Sequence, residues 1–406
     1  MKQKVRILTA AFLAMAVLAS ISCDDTTEFK SGQLFNPTVQ GELATDTLYA
    51  ELDTTYSIPI PSTRFSSRLL IGSFAGMTCR PIIKFTSLPV NASISDAYIR
   101  FATAGITGDN PQPFTMRAHP ILADWTTNTE QVWDDYQQNI DLTATLGTME
   151  VTVDSSDTLI MHMDSLGLDY FNKWANEDSS EFNYGLLLDF DNADFIKVFL
   201  SNSSLISPVL VLTYAPPQDT TRKDSLIASS DAFLIEGDFA QTQGRDYIVS
   251  LSPLVTLLQF DTTPLLNKGI MVSANLQLSV DTSNTHFSED FGVYTRILKL
   301  TSDLDDSLVV IDSSVSGLAS YSIEMTRFDK DNSYIEINTG SERRDFGTLF
   351  IQDLIENPQP AKKLYVGFRN NVDFASYIAL LKRNDPDPNK RPRLIIEYWL
   401  PPDIRF

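Results

Sequence analysis

The chain repeats itself once, and that repeat limits its fold more than any other feature. "RPIIKFTSLPVNASISDAYIRFATA" in the first half answers to "VTLLQFDTTPLLNKGIMVSANLQLSVD" in the second. Phe85 matches Phe260, Pro89 matches Pro264, and Ala97 matches Ala274 after a two-residue insertion. "NYGLLLDFDNADFIKVFLS" answers to "KLYVGFRNNVDFASYIALL", and "SPVLVLTYAPPQD" to "RPRLIIEYWLPPD", with Tyr214 against Tyr398. The order is kept and the spacing drifts by loop-sized amounts. A chain of 406 residues therefore reads as two copies of one domain.

The boundaries follow. Residues 46–214 and 230–402 are the two copies. Residues 215–229, "APPQDTTRKDSLIAS", read as a linker from their prolines and charges. Residues 23–45 read as a polar tether. Residues 1–22 carry Lys2, Lys4 and Arg6, then an apolar stretch from Leu8 to Ile21, and then Cys23. This is the pattern of a secretory signal peptide, and the stretch is too short for a stable span. The cysteine at the cleavage point resembles the lipobox of bacterial lipoproteins, with Ser20 where a leucine-like residue is usual. The resemblance implies an acylated N-terminus at Cys23, held on a membrane by its acyl chains. Asp24 and Asp25 resemble the export signal of surface lipoproteins. The implied location is the cell envelope, on the outer membrane.

Loss of residues 1–22 leaves 28 basic residues against 52 acidic ones, a formal charge of −24. Such a surface repels nucleic acid and anionic lipid. With Cys23 taken by the acyl anchor, Cys79 is the one remaining free cysteine, so no internal disulfide forms. Its neighbours "GMTCRPIIKF" read as a strand, which makes it a buried, inert thiol.

The local signals are strand signals. Ala274, Leu276, Leu278 and Val280 alternate with polar residues, as do Met149, Val151 and Val153. Period-two alternation buries one face of a strand and wets the other. Strands of this kind recur every ten or so residues between Asn, Asp, Gly and Pro, the pattern of an all-β antiparallel β-sandwich. A short helix is expected over "LDYFNKWANE", with Leu168, Phe171, Trp174 and Ala175 on one face. A counterpart is expected over "TLFIQDLIENP", stopped by Pro358.

Several pieces in this order resemble the DNRLRE, or disaggregatase-related, domain, also classed with family-96 carbohydrate-binding modules. They are "LLIGSF", "PIIKFTSLP", "DAYIRF", "ILADWTTNTEQVWDDY", "FNKWANEDSSEFNYGLLL" and "PVLVLTY". The second copy lacks counterparts of Trp125, Trp133 and Trp174. The resemblance covers nearly all of the chain after the signal peptide. It implies two tandem jelly-roll-like sandwiches on a secreted or surface protein, with polysaccharide as one class of ligand.

Three groups of residues invite chemistry. Trp125, Trp133 and Tyr136 lie in a polar segment beside Asp134 and Asp135. A ring can stack on a sugar face while a carboxylate bonds its hydroxyls; the same rings can instead pack on the sandwich edge. Asp189, Asp191 and Asp194 crowd one loop and are the candidate ligands for a structural calcium, which wants six to eight oxygens. Only "N-x-D-F" of that loop recurs in the second copy, which points to a β-hairpin turn. "DKDNSYIEINTG" fails as a calcium-binding EF-hand because Tyr334 and Gly340 stand where Gly and Glu belong. It reads as a turn and a strand from Tyr334 to Ile337.

Catalysis has little to stand on. His119, His162 and His286 are far apart in sequence, and no hydrolase, zinc-protease, nucleotide-binding or dinucleotide-binding motif is present. The leading expectation is a non-catalytic, glycan-binding or adhesive envelope protein. The alternative is an assembly lipoprotein that docks another envelope protein, and a third is a two-carboxylate polysaccharide-degrading enzyme.

Overall fold

The computed structural model describes residues 41–57, 62–108, 111–126, 132–154, 158–204, 207–252, 254–265, 268, 270–286, 295–300, 323–324, 333–338, 355, 363–368 and 373–400. Residues 1–22, Cys23, most of the tether and most of the expected second helix lie outside them.

The fold is all-β and built from antiparallel ladders. The first copy contributes β1 (Glu42–Ser57), β2 (Arg68–Phe74), β3 (Met77–Lys84), β4 (Ser93–Thr107), β5 (Phe114–Pro120), β6 (Gly147–Val151), β7 (Thr158–His162), β8 (Leu186–Phe190), β9 (Ile196–Leu200) and β10 (Val209–Ala215). Then come β11 (Arg222–Ile227), β12 (Ser230–Glu236), β13 (Arg245–Val249), β14 (Leu254–Phe260), β15 (Ile270–Ser279), β16 (Thr295–Leu300), β17 (Ile323–Glu324), β18 (Tyr334–Asn338), β19 (Lys363–Phe368), β20 (Tyr377–Leu381) and β21 (Arg393–Leu400). Alternation does what it should. Ala274, Leu276, Leu278 and Val280 are buried along and just past β15, and β18 covers the stretch read as a strand from Tyr334.

Pairing does not follow the order of the copies. β1 leads the first copy, yet it pairs with β21 through residues 42–49 and with β14 through residues 50–57, both in the second. A bulge between Ala50 and Leu52 marks where β1 passes from one partner strand to the other. The segment that leads the second copy does the converse. β11 pairs with β10, and β12 pairs with β3. Thus residues 222–227, within the stretch that reads as a linker, form a strand.

The two exchanges match in detail. Ala50 N–H donates to the Pro392 carbonyl at 3.0 Å, and Ala228 N–H donates to the Pro208 carbonyl at 3.0 Å. The Tyr398 hydroxyl donates to Asp46 at 2.7 Å, and the Tyr214 hydroxyl donates to Asp224 at 2.5 Å. Each leading segment thus carries an Asp four residues before an Ala, and each last strand offers the same Tyr. Thr63, after β1, clips the exchanged strand β12: its hydroxyl donates to the Phe233 carbonyl at 2.7 Å and accepts from the Phe233 amide at 3.1 Å.

The larger core ignores the repeat boundary. Phe101, Phe171, Phe195 and Phe199 share it with Phe233, Phe239, Tyr247 and Val249 from the other copy. A second core holds Leu258, Leu276, Leu278, Val366 and Ile396 together with Ala50 of β1. Phe74 and His286 meet across the halves with ring centroids 4.5 Å apart.

The helix expected in the first copy spans Ser165–Ala175, capped by Asp164, whose carboxylate accepts from Gly167 N–H at 2.9 Å. Phe171 and Ala175 are buried, and Trp174 packs edge-on against Phe171 at 5.3 Å. Asn172 clips the helix to β4 through the amide and carbonyl of Ile94, at 2.8 and 3.0 Å. Cys79 is fully buried, and desolvation pushes its thiol up to about 12.

Candidate functional site

The outward side chains of β3 alternate as Arg80, Ile82 and Lys84, and those of the exchanged β12 as Ala232 and Leu234. Residues 121–126 and 132–140 lie across them as a thin third layer. Ile121, Trp125, Trp133, Tyr136 and Ile140 bury their apolar surface on Ile82, Leu187, Ala232 and Leu234. Trp125 is 1% exposed, and its indole N–H donates to the Tyr184 carbonyl at 2.8 Å. Trp133 starts a short helix, Trp133–Tyr136, and its ring carries the Arg80 guanidinium 4.3 Å above the centroid. The candidate aromatics are thus brought together as a small core whose ring faces are turned inward. Asp134 is exposed beside them and accepts from Gln137 at 3.4 Å.

The aspartate loop does not gather its carboxylates around one point. Asp189 accepts from Arg80 Nε at 2.8 Å, Asp191 pairs with Arg117, and Asp194 accepts from the Gln112 amide at 3.2 Å. Arg117 holds the Asp191 carboxyl below the usual carboxylate range. Among the described residues no group of three or more His, Cys, Asp or Glu is placed to hold a metal ion. Arg80 also reaches Glu236, so a row of alternating charge runs over β12, β3, β8 and β5. The loop is a turn, with Asn192 at φ 47°. It is not a hairpin, because β8 pairs with β3 and β5 while β9 pairs with β2 and β4. The loop instead joins two strands that are not neighbours. Of its second-copy counterparts, Asp373 accepts from the Ser66 hydroxyl and the Ser67 amide at 2.8 Å each, a link between halves. Asn370 and Asn371 lie outside the described residues.

The three histidines stay apart in space. His119 bonds the Ala144 carbonyl at 2.8 Å, His162 tilts against Tyr98, and His286 packs on Phe74.

One aromatic pair that sequence reasoning passed over is open to solvent. Phe182 is 68% exposed, and its ring centroid lies 6.0 Å from that of the half-buried Tyr184. Lys84 Nζ stands 5.8 Å from the Tyr184 centroid and 3.8 Å from an Asp124 oxygen. Asp124 is kept below the usual carboxylate range, chiefly by the Thr126 amide and hydroxyl. Trp125 holds this ledge in place through the Tyr184 carbonyl, and Asn183 anchors it to the Phe85 carbonyl at 2.7 Å. The result is an apolar ledge with an ammonium and a carboxylate at its border. A signal was available: Phe182 stands in "DSSEFN", a polar stretch with no strand alternation.

No protein-family model matches the chain, and no curated protein is significantly similar to it.

Proposed function

We propose that the protein is a non-catalytic, lipid-anchored component of the cell envelope that binds glycan through its first half. The observation that carries the reading is the Phe182–Tyr184 ledge with Lys84 and Asp124 at its rim. Sugar rings offer an apolar face and a border of hydroxyls, which a ring with nearby charged hydrogen-bonding groups complements. The lipobox-like Cys23 and the resemblance to DNRLRE domains support the placement and the ligand class.

The test is a glycan array on the chain from residue 23 onward, with Cys23→Ser, run with calcium and with chelator. Saturable binding to one polysaccharide class should fall at least tenfold in Phe182→Ala/Tyr184→Ala. It should survive in Asp134→Ala and in chelator. A blank array sinks the reading. It would favour an assembly lipoprotein that docks another envelope protein, for which the exposed Leu122 and Leu142 offer apolar contacts.

A further inference from the structure

β1, β21 and β15 lie side by side, and their register puts Leu43 and Ile270 on either side of Trp399. Directly opposed residues share a sheet face. The neighbouring pair Ala44 and Met271, with Tyr398, points into the second core. Leu43, Trp399 and Ile270 therefore point out. Leu43 is 58% exposed and Ile270 66%; Val272, at a bulge in β15, is 55% exposed. Polar groups at the margin are already satisfied. Ser273 donates to Glu397 at 2.7 Å. An outward row of this kind on a chain of high negative charge calls for an apolar partner.

The chain itself indicates which partner. The N-terminal tether enters the described structure at Gly41, flat against the Trp399 indole: a Cβ on Gly41 would lie 2.0 Å from the ring. Cys23 is 18 residues upstream. Fully extended, that stretch spans at most about 60 Å. The described chain thus begins beside the apolar row, and an acyl anchor at Cys23 would hold this end of the sheet within about 60 Å of the bilayer.

We propose that Leu43, Trp399, Ile270 and Val272 form a lipid-docking face that rests on the membrane carrying the anchor, a proposal that builds on the lipid-anchored reading above. The contact is apolar. Tryptophan and aliphatic side chains suit the boundary between headgroups and acyl chains, and among the described residues no cationic cluster stands on this face to recruit anionic lipid. The face thereby orients the molecule, with the second half on the bilayer.

The experiment couples the Cys23 thiol of the mature chain to maleimide-bearing lipid in phosphatidylcholine vesicles. Cys79 is buried and does not compete. Tryptophan emission is then read with brominated acyl chains present. Quenching in the wild type should exceed that in Trp399→Phe. This Trp399-dependent part should fall at least fivefold in Leu43→Asp/Ile270→Asp, with thermal unfolding and circular dichroism retained. It should be unchanged by high salt. Equal quenching in wild type and Trp399→Phe overturns the proposal, as does quenching insensitive to the two aspartates. Fatty-acid labelling of Cys23 against Cys23→Ser in producing cells tests the anchor separately. Label with flat quenching leaves the anchor and removes the docking face; quenching without label leaves the lipid-facing surface and removes the anchor.

Discussion

Asp231 sits on the exchanged strand β12, almost fully buried, where its carboxylate accepts from the Asn202 amide at 2.6 Å. Burial pushes its pKa up to about 7 against an ordinary 3.8. The folded state therefore holds a proton that the unfolded chain has lost between roughly pH 4 and pH 7. Stability falls as pH rises through that window and is level above it. Asp231→Asn keeps an acceptor for Asn202 without the charge. It should raise the melting temperature at pH 8, by up to about 3 kcal/mol of stability, and do little near pH 4. Calorimetry across pH measures this, and an equal gain at both ends would refute it. The residue scale is also where the sequence was least legible. Trp125 and Trp133 stand in a polar stretch, and the apolar surface that buries them comes from Ile82, Leu187, Ala232 and Leu234, about 40 to 110 residues away in sequence. Local sequence holds no trace of that cover.

At the scale of elements, strand type was legible and strand partner was not. Period-two alternation located β15, the failed EF-hand pattern left a turn and a strand at Tyr334, and 3.6-residue spacing located the helix at 165–175. Which sheet a leading strand completes has no such signature. β1 carries Asp46 and Ala50, and the β11–β12 segment carries Asp224 and Ala228, at the same spacing. Each meets a last strand with Tyr398 or Tyr214. Identical recognition groups fit either docking mode, so the pattern is silent about the exchange. The equivalence predicts similar losses for Tyr398→Phe and Tyr214→Phe, about 1 kcal/mol each, read by denaturant unfolding. Removing residues 41–57 is far more severe, because β1 stands between β14 and β21 in the middle of its sheet. The truncated chain should lose the β signal of its second half, and a peptide of residues 41–57 should restore it. A truncated chain with native circular dichroism would show that β1 is dispensable.

At the scale of the molecule, the shared core and the two exchanges tie the halves into one cooperative unit. Calorimetry should show a single transition, where beads on a string would show two. A protease site placed between Asp219 and Thr220 supplies a further check. After cleavage the two fragments should still elute together under native conditions and separate only in denaturant. Fragments that part at once would mean that the strands are not exchanged.

The exchange also bears on how such a chain could arise. A polypeptide with only one copy would hold a sandwich missing its leading strand, and a leading strand with no place in its own sheet. Two such chains would complete each other about a twofold axis, each lending its strand to the other. Joined end to end through the segment around residues 216–221, that homodimer is the present molecule. Duplication and fusion would turn such an obligate pair into one chain, whose halves are then free to diverge, the first gaining the tryptophan-rich layer.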